Sequence, residues 1–397
     1  MFSVTTIKIF TIALSYMLNL LLINLYSKSI VGMYFEFVAL ISIICAVAFG
    51  GFSKYILRTV AITPCAVHES FRLVKKTIVN SCVFSILGVI FLYGLSLSLS
   101  LSLNLSFWLM FFLWFPFMGY LSLTSATLRG KGHHILGNIE AGVLRPILFI
   151  VLLLAAVLVD KGERTSYLLI IGFISLVLSS FFMSYFYHNK TKGVERSNNK
   201  LDISHSSIFV LSIYSMTEVL YLNLDLVFIG FVMNSESVAI YKVVLLCRSM
   251  LLLPYMTFNM IMPFLLSSKK IKANQMNALR LINIIISVLG LVLNHYVGQE
   301  VIGVIFGSEY EEVQTLIIPF FAMMFFLGVS GPSLERLISL KKENFVITVS
   351  LILLSLSMIV NYFYYNELGL YIFSITGAVC YSGIHIACEI YRRRIEL

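Results

Sequence analysis

Residues 7–26 read IKIFTIALSYMLNLLLINLY. A bilayer core is crossed by about 20 apolar residues rising ~1.5 Å each. This run has that length, with its one charge, Lys8, at the edge. No small-residue cleavage site follows, so it reads as an uncleaved first span rather than a signal peptide. Its polar residues are ordered as well. Lys8, Thr11, Ser15 and Asn19 recur at helical spacing and place one polar stripe on an apolar helix. That pattern fits a span with lipid on most sides and a cavity on one, and these residues are its candidate cavity lining.

The same reading extends along the chain. Of 397 residues 59% are hydrophobic and 12% charged, whereas soluble domains carry about 25% charged residues. So much apolar surface needs lipid as its solvent. Apolar runs lie near 7–26, 33–52, 78–98, 107–127, 135–159 and 166–187, then near 206–230, 237–260, 278–297, 313–333, 345–365 and 369–390. With the N-terminus in the cytoplasm, 22 Lys and Arg fall outside or at the edges of the spans on that side, against Lys28, Lys161 and Arg164 outside the cell. This positive-inside asymmetry supports twelve spans with both termini cytoplasmic. It also accounts for the net charge of +9 without nucleic acid.

The expected fold is therefore an all-α integral membrane protein, with twelve transmembrane helices in two pseudo-symmetric six-helix halves around a central cavity. The polar stretch 188–205, HNKTKGVERSNNKLDISH, is read as a cytoplasmic linker between an N-terminal half, 1–187, and a C-terminal half, 206–397. A short internal match accompanies the division: Val31-Gly32-Met33-Tyr34 opens the second span, and Val238-Ala239-Ile240-Tyr241 opens the eighth. Six-span halves fit a parallel-repeat transporter. The period-two segment 96–106, SLSLSLSLNLS, is read as a span end plus an external connection, because an open strand has no backbone partners in lipid.

Several chemistries find no motif. The six cysteines show no CxxC or zinc-like spacing, and five lie in apolar segments where Cys acts as a small hydrophobe. His133 and His134 have no spaced partner for a metal, and neither GxxxxGK[ST] nor GxSxG occurs. No catalytic residue, metal site or cofactor is expected.

Charges inside the spans are the functional signal, because each costs several kcal/mol in lipid and needs a reason. Arg145, Lys242 and Arg248 are the candidate anion-binding residues. Glu218 and Asp225, seven residues apart on one helical face, are the candidate ion-coupling pair, and Ser215 extends their stripe. Glu36 and Glu140 are further intramembrane carboxylates. Spans seven and eight form a hairpin near Asn234, which brings Asp225 level with Lys242 and Glu218 nearly level with Arg248. A bland reading makes these structural ion pairs, with Arg129 and Glu140 facing across the 130–134 turn in the same way. A functional one makes them the wall of a wet cavity. Pro116, Pro254 and Pro263 are candidate kink or stop positions.

The chain resembles the polysaccharide-biosynthesis (O-unit) flippases, of the superfamily that also holds multidrug and toxin extrusion transporters. The resemblance rests on the two six-span halves, on Gly32 and Tyr34, on Val304-Ile305-Phe306-Gly307-Ser308-Glu309-Tyr310 after span nine, and on Leu253-Pro254 and Pro263. It implies translocation of an undecaprenyl-pyrophosphate-linked oligosaccharide repeat unit across the bacterial inner membrane. An H⁺ or Na⁺ gradient would drive alternating access. Membrane lipid, and the polymerase and chain-length-control proteins of the same pathway, would be its partners.

Rival readings remain open beside it. A membrane polymerase is expected to carry catalytic residues on a large external loop, whereas the longest one here, near 298–312, lacks Arg, Lys and His. A drug/cation antiporter of the same superfamily would have an acidic or apolar cavity. A major-facilitator carrier would show a basic Gly/Asp/Arg motif that Ser53–Pro64 lacks.

Overall fold

The computed structural model describes residues 2–62, 105–159, 165–191, 205–253, 255, 273–331, 333–334, 337 and 342–396. Among the described residues every regular element is helical. They are α1 (Phe2–Leu25), α2 (Lys28–Cys45), α3 (Gly51–Ile62), α4 (Leu105–Gly130), α5 (His134–Ile139), α6 (Arg145–Val159) and α7 (Thr165–Thr191). There follow α8 (His205–Val232), α9 (Ser235–Leu251), α10 (Ala273–Phe306), α11 (Val313–Leu316), α12 (Ile318–Ser330), α13 (Glu343–Leu368) and α14 (Leu370–Glu396). Two π-helical turns, Ala46–Gly50 and Glu140–Leu144, link α2 to α3 and α5 to α6, and a 3₁₀ turn covers Ser308–Tyr310.

Among the described residues seven helices are long and apolar enough to cross a membrane, or eight if the bent pair Ser308–Leu316 and Ile318–Ser330 is one span. Two shorter apolar helices, Phe10–Leu25 and Gly142–Leu158, join them. Each predicted span that falls on described residues coincides with helix. The third span, most of the period-two segment, residues 192–204 of the linker, Pro254, Pro263, Cys65 and Cys82 lie outside the described residues. The outward faces are what lipid requires: Val304 is 86% exposed, Phe181 70% and Leu293 60%. A chain of this kind is a multi-pass membrane protein.

Two expected boundaries change. The second span runs as one helical rod from Lys28 to Ala61, 34 residues, so Lys54, counted above with a cytoplasmic loop, lies within a helix. The external connection near 298–312 shrinks, because α10 continues to Phe306. Gly307 ends it with φ +101°, a conformation that side chains disfavour. The next turn then folds Tyr310 inward, to 1% exposure, beside a helix end whose Phe306 is also buried. The Phe-Gly-x-x-Tyr pattern is thus a helix stop with an aromatic on each side.

Packing divides the chain into two compact units, Met1–Leu224 and Asp225–Leu397. The division falls inside α8, whereas the polar break in the sequence lies at 188–205. In the first unit small residues let helices approach closely. Gly50 and Gly51 lie against Ser215 and Ser212 of α8, Gly142 against Thr11 of α1, and Gly119 under the Phe49 ring. Phe49, Ile56, Val60, Phe115, Leu123 and Ala126 form a buried cluster where α3 meets α4. Phe37 packs edge-on to Trp114 at 5.2 Å. In the second unit Gly290 and Gly328 play the same part between α10 and α12.

The frequent Ser and Thr are tolerated because they bond to their own helix. Ser42, Thr59, Ser179 and Ser184 each donate to the carbonyl four residues back. Asn234 begins α9 as an N-cap, its Oδ1 accepting from the Ser237 N–H at 2.8 Å. The hairpin centre inferred from the sequence is that cap.

Candidate functional site

In the first unit the second π-turn has a local cause. Pro146 has no N–H to give the carbonyl four residues earlier, and its ring crowds that position. The helix therefore widens over Glu140–Leu144 and resumes at Arg145. Such single π-turns often mark functional positions. Arg145 donates to the Met118 thioether at 3.1 Å, a weak acceptor for a guanidinium. Its charge also acts on Tyr34 and Cys45. Cys45 itself precedes the other π-turn. Both π-turns therefore stand next to groups within reach of one buried-side cation. Arg129, expected opposite Glu140, lays its stem against Gly137.

The residue that sequence reasoning missed is Lys54. Its Nζ lies 2.6 Å from Glu218 Oε2 and 3.7 Å from the centre of the Tyr214 ring. Glu218 and Tyr214 are one turn apart on α8, so carboxylate and ring hold the ammonium together. Depth along the hairpin offers Glu218 to Arg248; the partner the structure shows is Lys54. The Glu218 side chain remains 50% exposed and that of Lys54 27%. Neither group is buried away from the surroundings, although both sit on apolar membrane-spanning helices.

The stripe on α1 and α8 is placed more variously. Lys8 belongs to α1. Thr11 packs on Gly142 and Ser215 on Gly50, so both serve close helix contacts. Asn19 donates to the Ser15 carbonyl at 2.6 Å, within α1.

The second unit holds a tighter constellation. Tyr241 of α9 is wholly buried, and its hydroxyl lies 3.2 Å from Asp225 Oδ2 and 3.1 Å from the Phe373 carbonyl of α14. A Cβ on Gly377 would sit 3.5 Å from both the Asp225 and Tyr241 oxygens, so the glycine leaves them room. Arg248 is 5% exposed, with its guanidinium 5.4 Å from the Phe320 ring centre. Its charge acts on both Asp225 and Lys242. Arg248 thus links the three predicted intramembrane charges of this unit, and Tyr241 bonds to one of them, Asp225.

The internal match acquires a structural meaning here. Val31 and Tyr34 are buried at the start of α2, and Val238, Ala239 and Tyr241 at the start of α9. In the second unit the tyrosine of the motif bonds to an intramembrane carboxylate, Asp225, and in the first Tyr34 feels the charge of Arg145.

No family model matches the chain, and no curated protein does. Solved structures do. An inward-facing conformation of a multidrug resistance MATE family transporter of the MOP superfamily aligns at 15% identity and TM-score 0.69, over 99% of this chain and 94% of that one. A MATE in complex with MaL6 aligns at 13% identity and TM-score 0.68, over 99% and 95%. An outward-facing conformation of a multidrug resistance MATE family transporter aligns at 13% identity and TM-score 0.63, over 99% and 94%. At these identities what is shared is the fold, and the fold of this chain is that of the MATE transporters of the MOP superfamily.

Proposed function

We propose that this chain is a secondary transporter of the bacterial inner membrane, with both termini cytoplasmic, that works by alternating access. The observation that carries the reading is the Lys54–Glu218 pair, partly open to its surroundings on two membrane-spanning helices. Charges in a span face the bundle interior or a water-filled cavity as a rule. A partly exposed pair there calls for a wet path, which is what a carrier needs.

The cargo we assign is an undecaprenyl-pyrophosphate-linked oligosaccharide repeat unit, moved as a lipid-linked anion. Arg145, Lys242 and Arg248, now with Lys54, are the cations offered to its head group, since a desolvated pyrophosphate needs several charged donors. Glu218 and Asp225 are the ion-coupling residues, for H⁺ or Na⁺. The polymerase and chain-length-control proteins of the pathway would receive the product.

A second reading, drug/cation export, has its own support, and in fold likeness it is the stronger of the two. The similar solved structures whose names state a class are multidrug resistance transporters. Cells lacking the gene separate the readings. Lipid-linked repeat units held on the cytoplasmic leaflet, and released by the restored gene, support the flippase. Unchanged lipid-linked pools with heightened sensitivity to cationic drugs would replace it with the exporter. Units reaching the outer face unpolymerised would point to a polymerase.

A further inference from the structure

Tyr241 has one phenolic proton and two acceptors, Asp225 Oδ2 at 3.2 Å and the Phe373 carbonyl at 3.1 Å. An O–H is given in full to only one of them. Which one receives it depends on Asp225. An ionised carboxylate has only acceptor sites and draws the phenolic proton in a charge-assisted bond. A neutral carboxyl carries its own O–H, which it gives to the Tyr241 oxygen. The phenolic proton then turns to the Phe373 carbonyl.

We propose that Tyr241 is a positioning residue that turns protonation of Asp225 into a hydrogen bond from α9 to the backbone of α14. The proposal rests on the reading of Asp225 as an ion-coupling residue, and it specifies the ion as H⁺. One proton enters, on Asp225; the phenolic proton only changes acceptor, and no other group gains or loses one.

The surroundings leave the Phe373 carbonyl able to receive that proton. Thr376 Oγ1 lies 3.3 Å from the same carbonyl, but only 2.7 Å from Oδ1 of Asn361, which is fully buried. The threonine hydroxyl has its better acceptor there. Among the described residues the charged and titratable groups that bear on Asp225 come from two helices. From α9 come Tyr241, Arg248, whose charge reaches Asp225, and Lys242, which the same charge reaches. From α14 comes the Cys380 thiol, which feels the charge of Asp225. From α12 the neighbour across Gly377 is the Phe320 ring. Asp225 is the group that meets the Tyr241 hydroxyl, so its state selects the acceptor.

The test is pH-difference infrared spectroscopy of the full-length protein in liposomes. Acidification should raise a carboxyl C=O band that is lost in Asp225→Asn, and a tyrosine C–O band should shift in step with it. In Tyr241→Phe the carboxyl band should persist at higher wavenumber, having lost a partner, and the tyrosine shift should vanish. In Asp225→Asn, whose amide donates to Tyr241 at every pH, the tyrosine band should stay at its acid position. A tyrosine band that ignores the carboxyl, or a carboxyl band unmoved in Tyr241→Phe, overturns the proposal. The coupling reading fails separately, by Asp225→Asn transporting with unaltered pH dependence while the wild-type bands still move together.

Discussion

Lys54 and Glu218, 164 residues apart in the chain, meet at 2.6 Å. The contact ties the rod that begins at Lys28 to α8, and Tyr214 of the same helix sets its ring against the lysine. A pair this exposed contributes little to stability, within about 1 kcal/mol. Its value has to be sought in transport.

Glu218→Gln and Lys54→Ala should therefore leave the thermal midpoint of the purified protein nearly unchanged while lowering transport about tenfold or more, a loss of at least ~1.4 kcal/mol at the limiting step. Exchanging the two, Lys54→Glu with Glu218→Lys, should recover part of the rate. Transport at the wild-type rate in both single variants would remove the pair from the pathway.

Arg248 is a harder case because it is buried and its charge is felt at Asp225. Removing one member of a buried charged group costs about 3–5 kcal/mol. Arg248→Ala should lower both folded yield and transport. Arg248→Lys keeps the charge, and should insert normally and transport better than Arg248→Ala. Size-exclusion profiles in detergent give the first quantity and cargo flux the second. Equal loss of folded protein in both variants would mark a purely structural arginine.

Gly142 should admit no side chain while Thr11 faces it. A Cβ there would meet the Thr11 hydroxyl and methyl, and overpacking of this kind costs about 1–3 kcal/mol. Gly142→Ala should lower the thermal midpoint, and adding Thr11→Ala should restore more than half of the loss. Additive effects of the two changes would contradict the contact.

Gly307→Ala should destabilise by about 1–2 kcal/mol, since φ +101° strains any side chain. The change is read as a lower unfolding temperature with transport per folded molecule preserved.

Much of the helical framework was legible because lipid leaves the backbone few choices. The run 7–26 and the hairpin turn at Asn234 are local statements, and each has a local structural counterpart, whereas the ninth span, read as ending near 297, continues as helix to Phe306. The pairings were not legible. Depth along the hairpin assigned Glu218 to Arg248, but depth says nothing about which other helix stands beside α8. Lys54 was lost for a related reason. The polar tail Gly51-Phe52-Ser53-Lys54 weakens the apolar run just where the helix continues. Thr11 and Ser215 read as cavity residues by spacing, and spacing cannot tell a water-facing hydroxyl from one seated on a glycine. Pro146 was the available signal for the π-turn before Arg145. It predicts a lost backbone bond, though not which way the helix absorbs it.

The first π-turn has a consequence for how this rod can vary. A π-turn holds one residue more than the α-helical ladder needs, and one residue is worth about 100° of helical phase. Deleting a single residue from Ala46–Gly50 would let the turn close to ordinary α-helix. The rod would lose only ~1.5 Å of length. Lys54, however, would swing about 100° around the axis relative to Tyr34 and leave Glu218 behind. The five residues act as a phase setting between the two ends of the rod, and a length change too small to alter the span would reset it.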